Sequence, residues 1–175
     1  MPGNRSPGTR HRAPVFSRIF LQPKRAMTMK NLWDANAREE VSERISLLTP
    51  DASPRWGKLT ARGMICHLVD TLRMAIGDIK VAEKKLPIRF TPLKQLIIYG
   101  PPFLKNSPTS PELILRQTED WDGECETLRK TMDAFASRPP TRRLPNHPVF
   151  GKLSRRTWGA LSYKHIDHHL KQFGV

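Results

Sequence analysis

Four stretches with helical hydrophobic periodicity most constrain what this chain of 175 residues can fold into, because no stretch shows convincing strand alternation. In each of them apolar residues recur at intervals of three, four or seven positions, which is typical of amphipathic helices. The predicted helices cover Ala35 to Leu48, 61 to about Ile79, Gln117 to Ala136 and 155 to about Phe173. The pattern predicts an all-α fold, a four-helix bundle.

A proline-rich segment separates the second predicted helix from the third. Residues 80–116 hold six of the 16 prolines, and proline disrupts the interior of a helix. We therefore predict a long crossover there, with one short helix near Leu93 to Tyr99. Thr60 and Ser154 are predicted N-caps, and Gly174 is placed to end the last helix.

The formal net charge of +14 is divided unevenly along the chain. Residues 1–30 hold seven Lys and Arg and no acid, whereas residues 31–175 hold 23 basic and 16 acidic residues. The second part lacks aromatic residues among its basic ones and any recognisable DNA-reading motif, which argues against nucleic acid as a partner. A non-catalytic basic helical module that binds nucleic acid or a protein partner stays open as the alternative function.

Residues 1–28 are rich in Pro, Gly and Arg and have no regular period, so we predict a disordered basic tail. Its most apolar run, Val15 to Leu21, is interrupted by Arg18 and is too short for a spanning helix or a convincing secretory signal. Three explanations stay open: a presequence, a nucleic-acid-binding arm, or a start codon assigned too far upstream. In the last case the protein begins at Met27 or Met29. The compact domain is predicted to cover residues 29–175.

The chain has only two cysteines, Cys66 and Cys125. Two cysteines form neither a disulfide framework nor a thiolate zinc cluster. A reducing compartment, the cytoplasm, is the simpler expectation, and we expect no association with a membrane.

Three histidines lie within five residues of the last predicted helix: His165, His168 and His169. At 100° per residue they share the face of Trp158 and Leu161. His165 and His169 are one turn apart, about 6 Å along the axis, so both imidazoles can point at one ion about 2 Å from each nitrogen. A single histidine on a helix face is more often an ordinary hydrogen-bonded residue, but several imidazoles in a core leave nitrogens that need partners.

A metal site between helices needs a further ligand from a facing helix. His67 is the candidate, since the two other histidines lie in the tail (His11) and in a proline-rich loop (His147). His67 lies at the edge of the apolar stripe of the second helix. That position suits a site open to substrate and equally suits an ordinary boundary histidine.

Two segments, WGKLTARGMICHLVDTLRMAIGD and NHPVFGKLSRRTWGALSYKHIDHHLKQFGV, resemble the DinB-like (YfiT-like) superfamily of metal-binding enzymes, and more narrowly an uncharacterised bacterial family within it. The resemblance covers roughly residues 31–175. It implies a four-helix bundle with up-down-down-up topology and a long crossover between helices 2 and 3. It also implies a divalent metal held by His67, His165 and His169, although His165 with His168 is also a pair on one face.

Characterised relatives in that superfamily include mycothiol-dependent isomerases and bacillithiol S-transferases. The resemblance therefore implies a divalent metal and, as a second cofactor, a low-molecular-weight thiol. It also implies a small-molecule substrate and a homodimer.

Three neutral imidazoles with open coordination positions suit Zn, Ni or Fe(II). An open position on such an ion lets a bound water or thiol deprotonate near neutral pH, with a pKa of about 7 for water on zinc, so we expect a hydrolase or a thiol S-transferase. The candidate catalytic groups are His168 and Asp70, which lies one turn from His67. Trp56 and Trp158 are expected either to wall the pocket or to belong to the core.

Overall fold

The structure is a computed structural model that describes residues 29–84, 86–106, 111–114 and 116–175. The predicted disordered tail, residues 1–28, lies outside the described residues. Within them the chain is all-helical, with no β-strand and five α-helices: α1 Ala35–Ser46, α2 Ala61–Ile76, α3 Leu93–Tyr99, α4 Trp121–Ala136 and α5 Arg155–Gln172. The prediction of an all-α fold is confirmed at this level.

The starts of α2 and α5 follow from side chains that cap them, as predicted. The hydroxyl of Thr60 accepts a hydrogen bond from the backbone N–H of Gly63, and the hydroxyl of Ser154 accepts one from the N–H of Thr157. Each cap satisfies an amide that has no partner within its helix. The short helix α3 has the predicted bounds.

Three helix ends differ from the prediction. Helix α1 ends at Ser46, two residues before the predicted Leu48. Gly77 has a φ of 90°, a left-handed conformation that ends α2 at Ile76, three residues before the predicted Ile79. Asp120 accepts a hydrogen bond from Gly123 N, so α4 begins at Trp121 rather than at Gln117. For α2 and α4 a local terminating or capping residue decides the boundary, while the apolar periodicity continues beyond it.

Helix α2 is central to the core, since 13 of its 16 residues are buried. It packs against α4 and α5, while α1 packs against the same two helices. The largest fully buried side chains are contributed mainly by these four helices: Ile45, Met64, Ile65, Leu68, Leu128, Met132, Phe135, Trp158, Ile166 and Leu170. This arrangement places α2 beside α5, so that side chains of the two helices can meet.

Helix α3 packs on α5 through a small separate apolar cluster that includes Ile98 and Leu161. The ammonium group of Lys164 on α5 donates to four backbone carbonyls at the end of α3 and just after it, those of Ile97, Ile98, Gly100 and Pro101. These bonds satisfy carbonyls that the short helix leaves open. They also hold the segment after α3 against α5.

Every helix in the described residues falls short of the length and apolar character that a membrane-spanning helix needs.

Candidate metal centre

The imidazoles of His67 on α2 and of His165 and His169 on α5 converge on one point. Nε2 of His165 lies 3.1 Å from Nε2 of His67 and 3.1 Å from Nε2 of His169. One nitrogen from each ring lies within 4.8 Å of the others. The ring planes meet at 75° to 89°, so the rings approach edge to face rather than stacked.

The orientation of His67 is set from outside the cluster. Its Nδ1 lies 2.7 Å from the backbone carbonyl oxygen of Leu113. A carbonyl only accepts, so Nδ1 carries the proton and donates it. The Nε2 of a neutral His67 therefore carries a lone pair, and it points at His165.

His169 is oriented in the same way by a side chain. Its Nδ1 lies 2.8 Å from Oε1 of Gln172, and the amide Nε2 of Gln172 donates to the carbonyl oxygen of Trp56 at 2.6 Å. That second bond assigns the amide oxygen to His169, so Nδ1 of His169 is the donor. The Nε2 of a neutral His169 thus carries a second lone pair that points at His165.

The geometry of the three nitrogens fits a divalent cation. If His165 carries a proton on Nε2, that proton can point at only one of two lone pairs, so at least one lone pair lacks a donor. Ligand nitrogens 2.0–2.1 Å from an ion lie about 3.3 Å apart in a tetrahedral site and about 3 Å apart in adjacent octahedral positions. The two separations from Nε2 of His165, 3.1 Å each, fall between these values, and all three nitrogens lie within 4.8 Å of one another.

Burial keeps the three imidazoles neutral. It lowers the pKa of His67, it lowers the pKa of His169 to about 3, and it lowers the pKa of His165 well below its ordinary value, with the neighbouring imidazoles acting in the same direction. Neutral imidazole is the form that binds metals. His67 and His169 are buried residues, and His165 is partly exposed as a residue although its ring is surrounded.

Asp70, a predicted catalytic candidate, pairs with an arginine. It is buried, and both of its carboxylate oxygens accept from Nε of Arg116, at 3.1 and 2.9 Å. Arg116 also forms an ion pair with Glu124 on α4. The network joins α2, α4 and the segment that follows Leu113. Asp70 still acts on His67, because its charge raises the pKa of that ring against the larger effect of burial.

His168, the other catalytic candidate, lies beside the three rings and outside their group. Its half-buried ring makes edge contacts with the rings of Trp56, Phe103 and His169, at centroid distances of 5.7, 5.8 and 5.3 Å. The histidines that the structure brings together with His67 are therefore His165 and His169. The catalytic roles of His168 and Asp70 stay predictions.

The comparison with known protein families extends only to the part of the site that lies on α5. Residues 102–174 match the sequence model of a family described as "Protein of unknown function (DUF1569)". This part of the chain is similar to an uncharacterised family. The match contains His165 and His169 and leaves out His67. No curated protein and no solved structure matches the chain.

The two tryptophans that the sequence singled out have different surroundings. Trp158 is 2% exposed, and its indole N–H donates to the carbonyl of Pro145 at 3.2 Å, so it belongs to the core. Trp56 contacts His168 and lies at the site.

The residues that orient the histidines were not predicted. Gln172 lies on the same face of the last helix as the histidines, three residues after His169, and that position was the only available signal. The carbonyl of Leu113 carries no sequence signal, because any residue has one.

Proposed function

We propose that this protein is a divalent-metal-dependent enzyme, of the hydrolase or low-molecular-weight-thiol S-transferase type, in which His67, His165 and His169 hold the ion. The observation that carries the proposal is the convergence of three neutral imidazole nitrogens from two helices. In His67 and His169 an outside acceptor binds the proton on Nδ1, so the lone pair is on Nε2 and faces the group. Buried polar nitrogens without partners destabilise a fold. A cation that accepts all three lone pairs gives this arrangement a physical reason.

The residues around the ion site have different proposed roles. Leu113 and Gln172 orient His67 and His169. A Zn, Ni or Fe(II) ion supplies a Lewis acid that lowers the pKa of a coordinated water or thiol. His168 lies next to His169 and is the nearest candidate to move a proton.

We further propose the finer fold that the sequence resemblance implies, a DinB-like four-helix bundle with up-down-down-up topology. Three observations support it: the long connection between α2 and α4, the position of the histidines on α2 and α5, and the packing of α2 against both α4 and α5. A cytoplasmic location suits the two free, buried cysteines. A small-molecule substrate, a low-molecular-weight thiol and a homodimer complete the proposal.

Metal analysis of protein purified without a histidine tag tests this function. We expect close to one Zn, Ni or Fe per chain in the wild type, and loss of most of it in His67→Ala and in His165→Ala. Added metal should raise the melting temperature of the wild type and not that of these two variants, because a ligand that binds the folded state stabilises it by mass action.

His168→Ala is the matched control, since it removes an imidazole from the same helix outside the three-ring group. It should keep the metal. Metal content that is negligible in the wild type, or equal in the wild type and both ligand variants, would overturn the proposal. Loss of metal in His168→Ala with retention in His169→Ala would instead favour the alternative pair on α5.

A further inference from the structure

An aromatic wall borders the three histidines on one side. The ring of His168 contacts both Trp56 and Phe103, at centroid distances of 5.7 and 5.8 Å. The ammonium group of Lys105, whose side chain is exposed, lies 4.7 Å from the centroid of the Trp56 ring. Phe103 and Lys105 belong to the segment that follows α3, and the four hydrogen bonds of Lys164 hold the start of that segment against α5. The wall therefore combines apolar rings with one cation that is exposed to solvent.

The wall also contains a hydrogen-bond donor that has no acceptor. The indole Nε1 of Trp56 is buried and has no partner, the only such side-chain nitrogen or oxygen found in the part of the chain that the structure describes. By contrast, the indole nitrogens of Trp33 and Trp158 donate to backbone carbonyls at 2.8 and 3.2 Å. Buried donors are almost always satisfied in folded proteins. Because this nitrogen is covered in the structure, an acceptor that a ligand brings would satisfy it after the side chains over it move aside.

The charges around the site favour an anion. The three histidines are neutral, and among the described residues no carboxylate or thiolate joins their group. A divalent ion held by them keeps its full charge, and two ammonium groups lie at the wall, Lys105 over Trp56 and Lys164 at 4.8 Å from the centroid of the Phe103 ring. A negatively charged ligand with an apolar body therefore matches both the charges and the rings.

We propose that Lys105 and the indole N–H of Trp56 form a subsite for the carboxylate of an organic acid. The hydrocarbon part of that acid lies against Phe103 and His168, and its other end reaches the three histidines. This inference deepens the proposed function and rests on it for the second end of the ligand.

The spacing of the wall sets the length of a suitable probe. Successive contacts of 5.3, 5.7 and 4.7 Å lead from the ring of His169 through His168 and Trp56 to the ammonium group of Lys105. A ligand that joins the two ends needs a chain of several atoms. The compound 6-mercaptohexanoate has a soft thiol for the metal and a carboxylate for the subsite. Its neutral primary amide is the matched compound without charge.

The indole N–H resonance of Trp56 in a ¹H–¹⁵N spectrum reports on the subsite directly, and Trp56→Phe identifies it. In the zinc-loaded wild type, 6-mercaptohexanoate should shift this resonance and bind about tenfold or more tightly than the amide. The resonances of Trp33 and Trp158 should stay in place. In Lys105→Gln the advantage of the acid over the amide should disappear. Lys130→Gln, which removes an exposed lysine from α4, should keep it.

Equal affinity of the acid and the amide for the wild type, or an unchanged preference in Lys105→Gln, would overturn the subsite. Zinc content measured in the same samples separates this failure from that of the proposed function. Protein that binds no zinc contradicts the metal site, while the Trp56 resonance still reports whether the acid binds in preference to the amide.

Discussion

Gln172 holds two groups of the candidate site at once, which makes it the most consequential single residue outside the histidines. Its amide accepts from Nδ1 of His169 and donates to the carbonyl of Trp56. Gly57 allows this reach: it has a φ of 80°, and a Cβ at this position would lie 2.7 Å from Nε2 of Gln172. A residue with a side chain there would meet both backbone strain and the amide.

At this scale we predict that Gln172→Met weakens zinc binding by roughly 10- to 100-fold, because the ring of His169 loses the acceptor that orients it. Methionine fills a similar volume without an acceptor of comparable strength, so the fold should be retained. Competition with a chelator measures the affinity, and circular dichroism checks the helices. Gln95→Met, at an exposed position of α3, is the control. Wild-type affinity in Gln172→Met would show that Gln172 does not position the ring.

At the scale of elements, α5 is the helix that connects the candidate site to the N-terminal segment and to α3. It carries two of the three converging histidines, it packs against α1, α2 and α3, and the segment before α1 crosses it at Gly159. There Leu32 N donates to the carbonyl of Gly159 at 3.1 Å, and the indole of Trp33 donates to the carbonyl of Arg155 at 2.8 Å. A Cβ at Gly159 would lie 1.9 Å from Oδ1 of Asn31 and 2.4 Å from the Trp33 ring.

The change Gly159→Ala tests this crossing. Alanine normally stabilises a helix relative to glycine, by up to about 1 kcal/mol. Here the Trp33 ring cannot move aside freely, because it is stacked on Phe135 at 4.2 Å. We therefore expect a net loss of roughly 1–3 kcal/mol in the free energy of unfolding, measured by denaturant titration. Arg156→Ala, on an exposed position of the same helix, should change it by less than about 0.5 kcal/mol. A stabilised Gly159→Ala would contradict the close approach.

At the scale of the whole molecule, stability depends on His147, a histidine outside the three-ring group. The loop before α5 is closed by two backbone hydrogen bonds of 2.8 Å between His147 and Gly151. Nδ1 of His147 accepts from the N–H groups of Val149 and Phe150, at 3.1 and 3.2 Å. Its ring packs against Phe150 and Trp158. Burial lowers the pKa of His147 from 6.5 to about 4, and protonation would also remove the acceptor.

Because the pKa of His147 is lower in the folded state, the unfolded chain binds the proton first as the pH falls. The stability that a neutral His147 allows is complete above pH 6.5 and is lost between pH 6.5 and about 4. His147→Asn keeps an acceptor in the loop but does not titrate. Between pH 7.5 and 5 the wild type should lose about 2 kcal/mol more unfolding free energy than this variant. The variant retains the other histidines, so their own titration is common to both proteins, apart from the effect of the His147 charge on His165. A difference that stays constant with pH would contradict the assignment to His147.

The sequence predicted the local features well because their causes are local. Apolar periodicity located the helices, and the caps at Thr60 and Ser154 need only a hydroxyl within three residues of the amide it accepts from. The ends of α2 and α4 were missed by a few residues, since Gly77 and Asp120 outweigh a periodicity that continues past them. The pair His165 and His169 follows from the pitch of one helix.

The sequence by itself determined which stretches are helical and which imidazoles share a face, because hydrogen bonding and periodicity within a helix involve residues only a few positions apart. The tertiary structure decided what the site is made of. It brought His67 to two rings about 100 positions away, paired Asp70 with Arg116, and supplied the carbonyl of Leu113 as an acceptor. These contacts depend on how α2, α4 and α5 pack, and packing is a property of the whole core that no local pattern contains.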